Sequence, residues 1–514
     1  MDSFRQRTTR SYHLNAATED SKVWDVVVIG GGATGAGILL DATTRGYSAL
    51  LLEGSDFAKG TSSRSTKLIH GGVRYLQQFQ FGMVRDSLRE RGRLLKNAPH
   101  LVHELEFIIP CKSMFERIFY GVGLKLYDAL AWGSGARLSK QVSRQSLYDR
   151  FPQLSSNRFA GGVSYIDAQF NDSRLVIELI RTAVELKAIV LNYAKVVALD
   201  RNVNQRLQGL EFVDQETGKS HKIRAKAIVN ATGPFCDAIR RMDSAEEFEP
   251  LVAASQGVHV VLPSALFKSR RAIIVPKTSD GRVLFIIPWQ GHVLVGTTDT
   301  PIHNIVEEPS AQCDEVDFLL ETLAGYLEIA PSRSDVLSVF TGIRPLVKAR
   351  KDQPTKQLSR DHTIEFSPSG LVTITGGKWT TYRKMAEDCV DLLSNRFDLP
   401  QTSCQTKSLL LQQTQLDRVA CEREFETDSN LLRSLHPELE LTEADLLQGI
   451  QFEYARNLED LLARRTRALF LDTSAAVQIA PIAVKLLAKE LQKNEAWESD
   501  QIQQFTALAQ TYML

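Results

Sequence analysis

A glycine-rich turn directly after a short apolar run is the feature that most limits the fold of this chain. Residues 25–29 read Asp-Val-Val-Val-Ile, and residues 30–35 read Gly-Gly-Gly-Ala-Thr-Gly. A small-residue pattern at helical spacing comes next, and a second apolar run occupies residues 49–52. Strand, GxGxxG turn, helix and strand in this order are typical of a dinucleotide-binding unit. The sequence therefore predicts a Rossmann-like α/β domain.

Each glycine of this turn has a separate predicted role. Gly30 permits the tight turn, Gly32 lets the backbone approach a pyrophosphate, and Gly35 lets the helix pack closely on the strand. The helix N-terminus then faces the phosphates. Glu53 follows the second apolar run, where a carboxylate accepts hydrogen bonds from an adenosine ribose.

The residues after Glu53 favour FAD over NAD as the cofactor. A long polar segment, residues 61–72, stands where a simple nicotinamide fold would begin its next helix, and such a segment is suited to lining an extended cofactor. The candidate cofactor-binding residues are Gly30, Gly32, Gly35, Glu53, Thr61, Ser62, Ser63, Lys67, His70, Gly233, Gly376 and Gly377. The last three end apolar runs, where backbone groups can approach a ligand that side chains would obstruct. A helix beginning near Lys378 would direct its positive end at a reduced, anionic flavin.

Composition limits the other classes of function. The 514 residues, 43% of them apolar, are enough for two or three domains. Lys+Arg and Asp+Glu both number 61, so no overall charge favours nucleic acid. The six cysteines form no CxxC pair, which argues against a zinc site and indicates a reducing compartment; we expect no metal.

Apolar periodicity divides the chain into an FAD-binding domain, a substrate domain made mostly of antiparallel strands, and a helical C-terminal cap. The predicted ranges are 1–21 for a flexible N-terminus, 22–105, 165–250 and 340–395 for the FAD-binding domain, 106–164 and 251–339 for the substrate domain, and 396–514 for the cap.

Several motifs together make the sequence similar to a known family. They are Ile29 to Gly37 with Asp41 and Arg45-Gly46, Ser65-Thr-Lys-Leu-Ile-His-Gly-Gly-Val-Arg-Tyr75, Gly296-Thr-Thr-Asp299, Gly342-Ile-Arg-Pro345 and Gly376-Gly-Lys-Trp-Thr-Thr-Tyr-Arg383. Over roughly residues 22–395 and 433–471 the chain strongly resembles the respiratory, FAD-dependent glycerol-3-phosphate dehydrogenases. The resemblance implies an FAD-binding fold of the glutathione-reductase or amino-acid-oxidase type.

The resemblance implies oxidation of sn-glycerol 3-phosphate to dihydroxyacetone phosphate, with hydride transfer to FAD and electrons passing to a membrane quinone. A dianionic phosphate requires several basic donors. The candidate substrate-binding residues are Arg74, Tyr75, Arg344, Arg360 and Lys378. Removal of the hydroxyl proton requires a base, for which His259 is the candidate; Arg344 and Lys378 complete the expected catalytic set.

Other readings stay open at this point. A glycerol-3-phosphate oxidase would pass the electrons of the same flavin to dioxygen. A relative of the glycine or sarcosine oxidases would share the fold but bind a carboxylate. From a different class, the chain could be a flavin-binding sensor without turnover, which the four basic residues Arg74, His259, Arg344 and Lys378 disfavour. A homodimer also stays open as the assembly.

Residues 112–132 are the candidate contact with a membrane surface. Apolar residues recur at helical spacing, namely Phe115, Ile118, Phe119, Val122 and Leu126, and the segment also contains Tyr120, Tyr127, Trp132, Lys112, Arg117 and Lys125. A helix packed into the core is the alternative, and it is the commoner meaning of such a stripe. The expected location is the cytoplasmic, inner face of a plasma membrane. A mitochondrial transit peptide is disfavoured by Asp2, Glu19 and Asp20.

Overall fold

The structure, a computed structural model, describes residues 9–73, 80–131, 137–244, 248–348, 362–411 and 429–514. The strands are β1 Val23–Ile29, β2 Ala49–Leu52, β3 Leu68–Ile69, β4 Val102–Cys111, β5 Lys140–Ser143, β6 Gly161–Phe170, β7 Ile189–Leu191, β8 Ala194–Arg201, β9 Leu207–Asp214, β10 Lys219–Asn230, β11 Val252–Pro263, β12 Ala272–Val275, β13 Leu284–Trp289, β14 His292–Gly296, β15 Thr300–Pro301, β16 Ser338–Val347, β17 His362–Phe366, β18 Val372–Gly376, β19 Ser434–His436 and β20 Leu439–Thr442. The α-helices are α1 Arg10–Ala17, α2 Ala33–Thr44, α3 Phe81–Asn97, α4 Met114–Leu130, α5 Arg144–Arg150, α6 Asp172–Glu185, α7 Cys236–Asp243, α8 Cys313–Ala324, α9 Tyr382–Arg396, α10 Glu443–Phe452, α11 Ala468–Leu471, α12 Thr473–Leu491 and α13 Glu495–Gln510.

The first sheet carries the glycine-rich turn. Its order is β17-β18-β10-β1-β2-β7, and β18, β10, β1, β2 and β7 run parallel. Strand β1 is central and buried on both faces. Val26 and Val28 pack under α2, α6 and α9, whereas Val27 and Ile29 pack on the opposite side with residues of the β8–β9 hairpin. This explains why β1 is almost continuously apolar in sequence.

The second sheet forms the other large layer. Its order is β15-β11-β14-β13-β12-β4-β6-β3, with β16 beside β11 and β5 beside β6. Apart from the parallel pair β12–β4, these neighbours are antiparallel. The predicted fold class is confirmed: a dinucleotide-binding α/β fold with an antiparallel second sheet and a helical C-terminal region.

Four stretches belong to a different sheet from the one that the predicted ranges imply. Residues 68–69, 102–105, 165–170 and 340–347 fall within the predicted FAD-binding ranges, but they belong to β3, β4, β6 and β16 of the second sheet. The chain crosses between the sheets within single motifs, so an apolar pattern alone could not locate the crossing. The domain ranges as a whole remain a prediction.

The C-terminal region is fastened to the first sheet by buried charges. Within the predicted helical cap, a π-helix at Asp460–Arg465 precedes α11, and Arg467 between them is in the left-handed conformation at φ 67°. Arg464 Nε lies 2.5 Å from Asp56 Oδ2, and Arg465 Nη1 lies 2.6 Å from the same oxygen. These guanidinium groups together hold the pKa of Asp56 at about 2 despite the burial that opposes ionisation.

The N-terminal segment differs from the flexible 1–21 that its polarity predicts. Helix α1 is capped by Thr9 and buries His13 and Ala17. Arg10 Nη2 donates to Asp214 Oδ1 at 2.6 Å, and His13 Nε2 lies 3.2 Å from Tyr454 Oη. Arg10 and His13 therefore attach this segment to polar residues far along the chain. Residues 1–8 lie outside the described part of the chain.

Helix α4 presents its apolar stripe to the exterior, so the core interpretation of residues 112–132 is wrong for this stripe. Phe115 is 77% exposed and Val122 68%, and Ile118, Phe119 and Leu126 are also exposed. Tyr127 is buried and donates to Asp167 Oδ2 at 2.8 Å, so it is not an interface aromatic. Trp132 lies outside the described residues. In the described part of the chain, no helix is long and apolar enough to span a membrane.

We expect Asp56→Ala to lower the free energy of unfolding by about 3–5 kcal/mol, because it leaves two buried guanidinium groups without their shared carboxylate. Urea unfolding of the FAD-loaded protein, followed by far-UV circular dichroism, measures the change.

Asp317→Ala is the matched control, since Asp317 pairs with Arg333 at 2.8 Å on the surface. It should leave the free energy of unfolding nearly unchanged, because an exposed ion pair is screened by solvent. Equal losses for the two variants would contradict the special role of the buried cluster.

Candidate active site

The turn between β1 and α2 is built as its glycines predict. Gly30 has φ +109°, and a Cβ there would lie 2.7 Å from Ala231 O. A Cβ on Gly35 would overlap Gly30 O, so α2 packs against the turn at a distance that only glycine permits. Helix α2 begins after Gly32, which has no side chain to cap it, and Ala33 N donates to Ser62 Oγ at 2.9 Å. The start of the helix lines an open cleft, where a helix N-terminus suits a phosphate.

The carboxylate of Glu53 lies against the backbone of this turn. Its Oε2 accepts a hydrogen bond from Gly31 N at 2.6 Å, and its Oε1 accepts one from Ser55 N at 2.8 Å. Burial raises the pKa of Glu53, and the two backbone donors oppose that shift. The carboxylate also lines the cleft, where lone pairs on the same oxygens are available to a ribose hydroxyl.

A cavity of about 500 Å³, here the cofactor cleft, extends from the β1–α2 turn to the start of α9. The predicted cofactor-binding residues on its wall are Gly30, Gly32, Glu53, Thr61, Ser62, Gly233, Gly376 and Gly377. Gly35, Ser63, Lys67 and His70 are not on this wall: Gly35 contacts backbone, Ser63 and Lys67 are buried, and His70 lines two other cavities. Lys195 lines the cleft but was not predicted, because a lysine in an alternating strand carries no distinguishing signal.

A second cavity of about 220 Å³, here the inner cavity, adjoins the cofactor cleft. The residues that line both are Thr61, Pro345, Gly377, Lys378 and Trp379. The inner cavity brings together the three predicted catalytic residues His259, Arg344 and Lys378. They span 119 positions of the sequence and come from β11, β16 and the turn before α9, respectively. Their meeting at one cavity is what the predicted chemistry requires.

His259 projects from β11 and is 2% exposed. Its Nε2 lies 2.9 Å from Thr66 Oγ1, and its ring stacks on Phe340 with centroids 4.9 Å apart. Nδ1 is buried and has no hydrogen-bond partner among the described residues. Burial, then the charges of Lys67 and Arg344, hold the pKa of His259 well below its ordinary value. The imidazole is therefore neutral near pH 7, the form that a base requires.

Arg344 organises a turn as well as lining the cavity. Its Nη1 donates to Gln256 O at 3.2 Å and to Asp299 Oδ1 at 3.1 Å. Its Nη2 donates to Thr297 Oγ1 at 3.0 Å and to Thr298 O at 2.9 Å. These bonds direct the terminal N–H groups at protein acceptors, so Arg344 contributes its charge to the cavity more than free donors. Asp299 and its neighbours, quoted in the sequence motif, were not predicted as site residues.

Lys378 stands at the junction of the cofactor cleft and the inner cavity. It directly precedes the short 3-10 turn Trp379–Thr381 that leads into α9, as the Gly-Gly-Lys-Trp motif predicts. Its Nζ lies 3.4 Å from Ser87 Oγ, a long hydrogen bond that a stronger anionic acceptor would displace.

Lys67 has a different environment from the one predicted for a cofactor-binding lysine. Its Nζ donates to Asp172 Oδ2 at 2.7 Å and to Ser63 O at 2.7 Å, and the side chain is fully buried. Burial lowers the pKa of Lys67 to about 7, against the attraction of Asp172. No local pattern indicates this pairing, because Asp172 lies 105 residues from Lys67 along the chain. Arg74, Tyr75 and Arg360 lie outside the described residues, so their substrate-binding roles stay predictions.

Comparison with known proteins agrees with this geometry. The model of the FAD dependent oxidoreductase family matches residues 25–383, and the model of the C-terminal domain of alpha-glycerophosphate oxidase matches residues 372–498. The chain is 39% identical to a mitochondrial glycerol-3-phosphate dehydrogenase of Arabidopsis thaliana, over 99% of this chain and 89% of that protein. It is 36% identical to the mitochondrial enzyme of that name from Rattus norvegicus, over 95% of this chain and 73% of that protein.

Solved structures give the same result. The glycerol-3-phosphate dehydrogenase of Bacillus halodurans, solved with FAD, matches with a TM-score of 0.77 and 28% identity over 98% of each chain. The L-alpha-glycerophosphate oxidase of Mycoplasma pneumoniae shares the fold, with a TM-score of 0.57 and 18% identity over 75% of this chain and 97% of that one. Fold and cleft define an oxidoreductase whose cofactor is FAD. Within that class, the chain belongs to the family of FAD-dependent glycerol-3-phosphate dehydrogenases.

Gly32→Val should abolish FAD binding, because the added side chain would occupy the cleft at the start of α2. Even a Cβ at this position would lie only 3.0 Å from Ser62 Oγ. The ratio of flavin to protein absorbance in the purified variant measures this.

Gly82→Val serves as the control, since a Cβ on Gly82 meets nothing within 4 Å. It should keep the wild-type flavin content. Wild-type flavin content in the Gly32→Val protein would contradict the assignment of this turn to pyrophosphate binding.

Proposed function

We propose that this protein oxidises sn-glycerol 3-phosphate to dihydroxyacetone phosphate and passes the electrons to a membrane quinone. The observation that carries the proposal is the inner cavity, where a neutral His259 meets the charges of Arg344 and Lys378 directly beside the cofactor cleft. Bound FAD supplies the acceptor for the hydride that leaves the carbinol carbon. The relatives named glycerol-3-phosphate dehydrogenase support the choice of substrate.

The residues of the inner cavity divide the work between binding and proton transfer. Lys378 binds the phosphate as a direct donor, and Arg344 adds a second positive charge while holding the 297–299 turn in place. Arg74, Tyr75 and Arg360 are further substrate-binding candidates by resemblance. His259 takes up the hydroxyl proton, because its lowered pKa leaves the imidazole neutral near pH 7. The apolar side chains of Leu68 and Phe285 line the same cavity and limit access of water.

An apolar route from the surface supports quinone as the electron acceptor. A cavity of about 220 Å³, here the connecting cavity, shares Thr66, Leu68, His70, Phe285 and Arg344 with the inner cavity. It also shares Val73, Ile109 and Tyr120 with a surface groove of about 420 Å³ on α4. A lipid-soluble ring fits a groove of this composition, whereas dioxygen requires none.

The exposed face of α4 supports peripheral contact with a membrane. Its aromatic and aliphatic side chains form one patch around the mouth of the surface groove. Contiguous apolar patches on a protein surface mark sites of interaction, and a lipid surface is the source of a quinone. Lys112 and Arg117 flank the patch and suit anionic head groups. The proposed location is the cytoplasmic face of a plasma membrane, although the relatives from Arabidopsis thaliana and Rattus norvegicus are named as mitochondrial enzymes.

Anaerobic addition of sn-glycerol 3-phosphate should bleach the flavin, and a soluble quinone should reoxidise it faster than dioxygen does. Stopped-flow absorbance measures both steps. A flavin that the substrate leaves oxidised contradicts the proposed activity. Faster reoxidation by dioxygen supports the oxidase instead.

Lys378→Met should lower kcat/KM for sn-glycerol 3-phosphate by an amount equivalent to about 2–5 kcal/mol, because the phosphate loses a charged donor. Glycerol, which lacks the phosphate, should be a poor substrate for both proteins and lose little more in the variant. Steady-state kinetics with a dye acceptor measures this.

Lys384→Met is the matched control, because it removes the same charge from α9, where Lys384 pairs with Asp388 outside both cavities. Its kcat/KM should stay within about twofold of wild type, since a surface ion pair is worth about 1 kcal/mol or less. Equal proportional losses with glycerol and glycerol 3-phosphate in Lys378→Met would show that Lys378 supports the fold rather than the phosphate.

Phe119→Glu should reduce co-sedimentation with anionic liposomes by about tenfold, because it places a carboxylate in the apolar face that contacts lipid. Flavin content and dye-coupled activity should remain at the wild-type level. Centrifugation with vesicles of mixed neutral and anionic phospholipid measures binding.

Val203→Glu makes the same kind of change at a 95% exposed position in the β8–β9 turn, away from the patch, and should leave binding unchanged. A wild-type protein that does not bind these vesicles would contradict the membrane assignment. Analytical ultracentrifugation that shows two copies of the chain associating through this patch would contradict it as well.

A further inference from the structure

His259, the candidate general base in the inner cavity, contacts a hydroxyl group that lies between it and the cavity. His259 is almost completely buried, and its Nδ1 is sealed from solvent. Its other ring nitrogen, Nε2, lies 2.9 Å from Thr66 Oγ1. Thr66 is only half-buried and lines both the inner cavity and the connecting cavity. A proton that travels from the cavity to His259 therefore meets the Thr66 hydroxyl first.

We propose that Thr66 is a catalytic residue that relays the hydroxyl proton of the substrate to His259. This inference rests on the proposed function. The Thr66 O–H bond breaks as its proton passes to His259 Nε2, and a new O–H bond forms as Thr66 Oγ1 takes the proton of the substrate hydroxyl. The carbinol C–H bond breaks at the same stage, the carbon–oxygen bond becomes a carbonyl, and bound FAD would accept the electron pair as hydride. The substrate loses two electrons and FAD gains them, and His259 later releases its proton to solvent.

The buried carboxylate of Asp172 binds both chain neighbours of Thr66 and so fixes the position of the Thr66 hydroxyl. Asp172 Oδ2 accepts hydrogen bonds from Ser65 N at 3.1 Å and from Ser65 Oγ at 2.8 Å. The same oxygen accepts one from Lys67 Nζ at 2.7 Å. Both chain neighbours of Thr66 are thus tied to one carboxylate. A relay needs a fixed donor and acceptor, and this attachment supplies the fixed position.

The C-terminal region reaches the same segment. Arg467 Nη2 donates to Ser63 O at 2.7 Å and lies 3.5 Å from Asp172 Oδ1. Lys67, Asp172 and Arg467 are thus positioning residues that act through Thr66, which gives Lys67 a role other than cofactor contact. The attachment also links the C-terminal helices to the chemistry without any of them touching the inner cavity.

Thr66→Val keeps the shape of the side chain and removes the hydroxyl, so it separates a relay from a packing role. We expect the limiting rate of anaerobic flavin reduction by sn-glycerol 3-phosphate to fall on the order of 10²-fold, which lies within the usual contribution of general base catalysis. The substrate Kd, from the concentration dependence of the same traces, should change less than about threefold, because the phosphate donors are untouched. Thr66→Ser, which retains a hydroxyl, should recover most of the rate.

Thr341→Val is the matched control. Thr341 lies on β16 next to the cavity wall, and its Oγ1 is buried without a hydrogen-bond partner among the described residues. Loss of that hydroxyl should leave the reduction rate unchanged, and dithionite should bleach all variants equally.

The outcomes separate the two proposals. If Thr66→Val is reduced at the wild-type rate while His259→Gln is slow, His259 accepts the proton directly and the relay is overturned. Equal slowing of Thr66→Val and Thr66→Ser, or a loss confined to substrate Kd, overturns it as well. A wild-type flavin that sn-glycerol 3-phosphate does not bleach refutes the proposed function, and the relay with it.

Discussion

The arrangement of the site depends on the Asp172 carboxylate, buried between Lys67 and Arg467. Lys67 belongs to the segment after β2, Asp172 begins α6, and Arg467 comes from the C-terminal region, so one carboxylate joins three distant parts of the chain. The ammonium of Lys67 also lies 4.9 Å from the Phe340 ring centre, in the second sheet. Loss of Asp172 would leave Lys67 and Arg467 buried without their shared carboxylate, which is far costlier than losing a surface pair. The segment therefore has one low-energy position.

This cluster also sets the electrostatics around His259. Burial contributes most to the lowered pKa of His259, and the positive charges of Lys67 and Arg344 add to it. Because the folded-state pKa lies below the ordinary value of 6.5, folding favours the neutral imidazole. Its contribution to stability is therefore present above about pH 6.5 and is lost as the pH falls below that value. Burial and the positive charges of Lys67 and Arg344 thus favour the unprotonated imidazole, which has no carboxylate partner in the described part of the chain.

Local patterns predicted what depends on local sequence. The strand β12 occupies Ala272–Val275, as its apolar run indicates, and the turn at Gly30 has the backbone conformation that its glycine implies. Lys67 illustrates the opposite case: its motif is local, but its partners lie far along the chain, and nothing in residues 61–72 distinguishes a buried cation from one that contacts a phosphate. Helix α4 has the same limitation, because an amphipathic stripe specifies a face but not what covers it. Burial and pairing are properties of the tertiary structure.

Under the proposed function, the second sheet must satisfy two requirements with one set of strands. The charged substrate would require a polar cavity, and a lipid-soluble acceptor would require an apolar route to the same centre. Along β4 the side chains alternate between the two faces of the sheet: Phe107 and Ile109 line the connecting cavity, while Ile108 packs on the opposite face under α8. The wall of the apolar route and the core that stabilises the sheet therefore come from neighbouring residues on opposite faces. A smaller side chain at Phe107 or Ile109 widens the connecting cavity and also removes buried core contacts, whereas one at Ile108 creates a cavity only in the core on the opposite face.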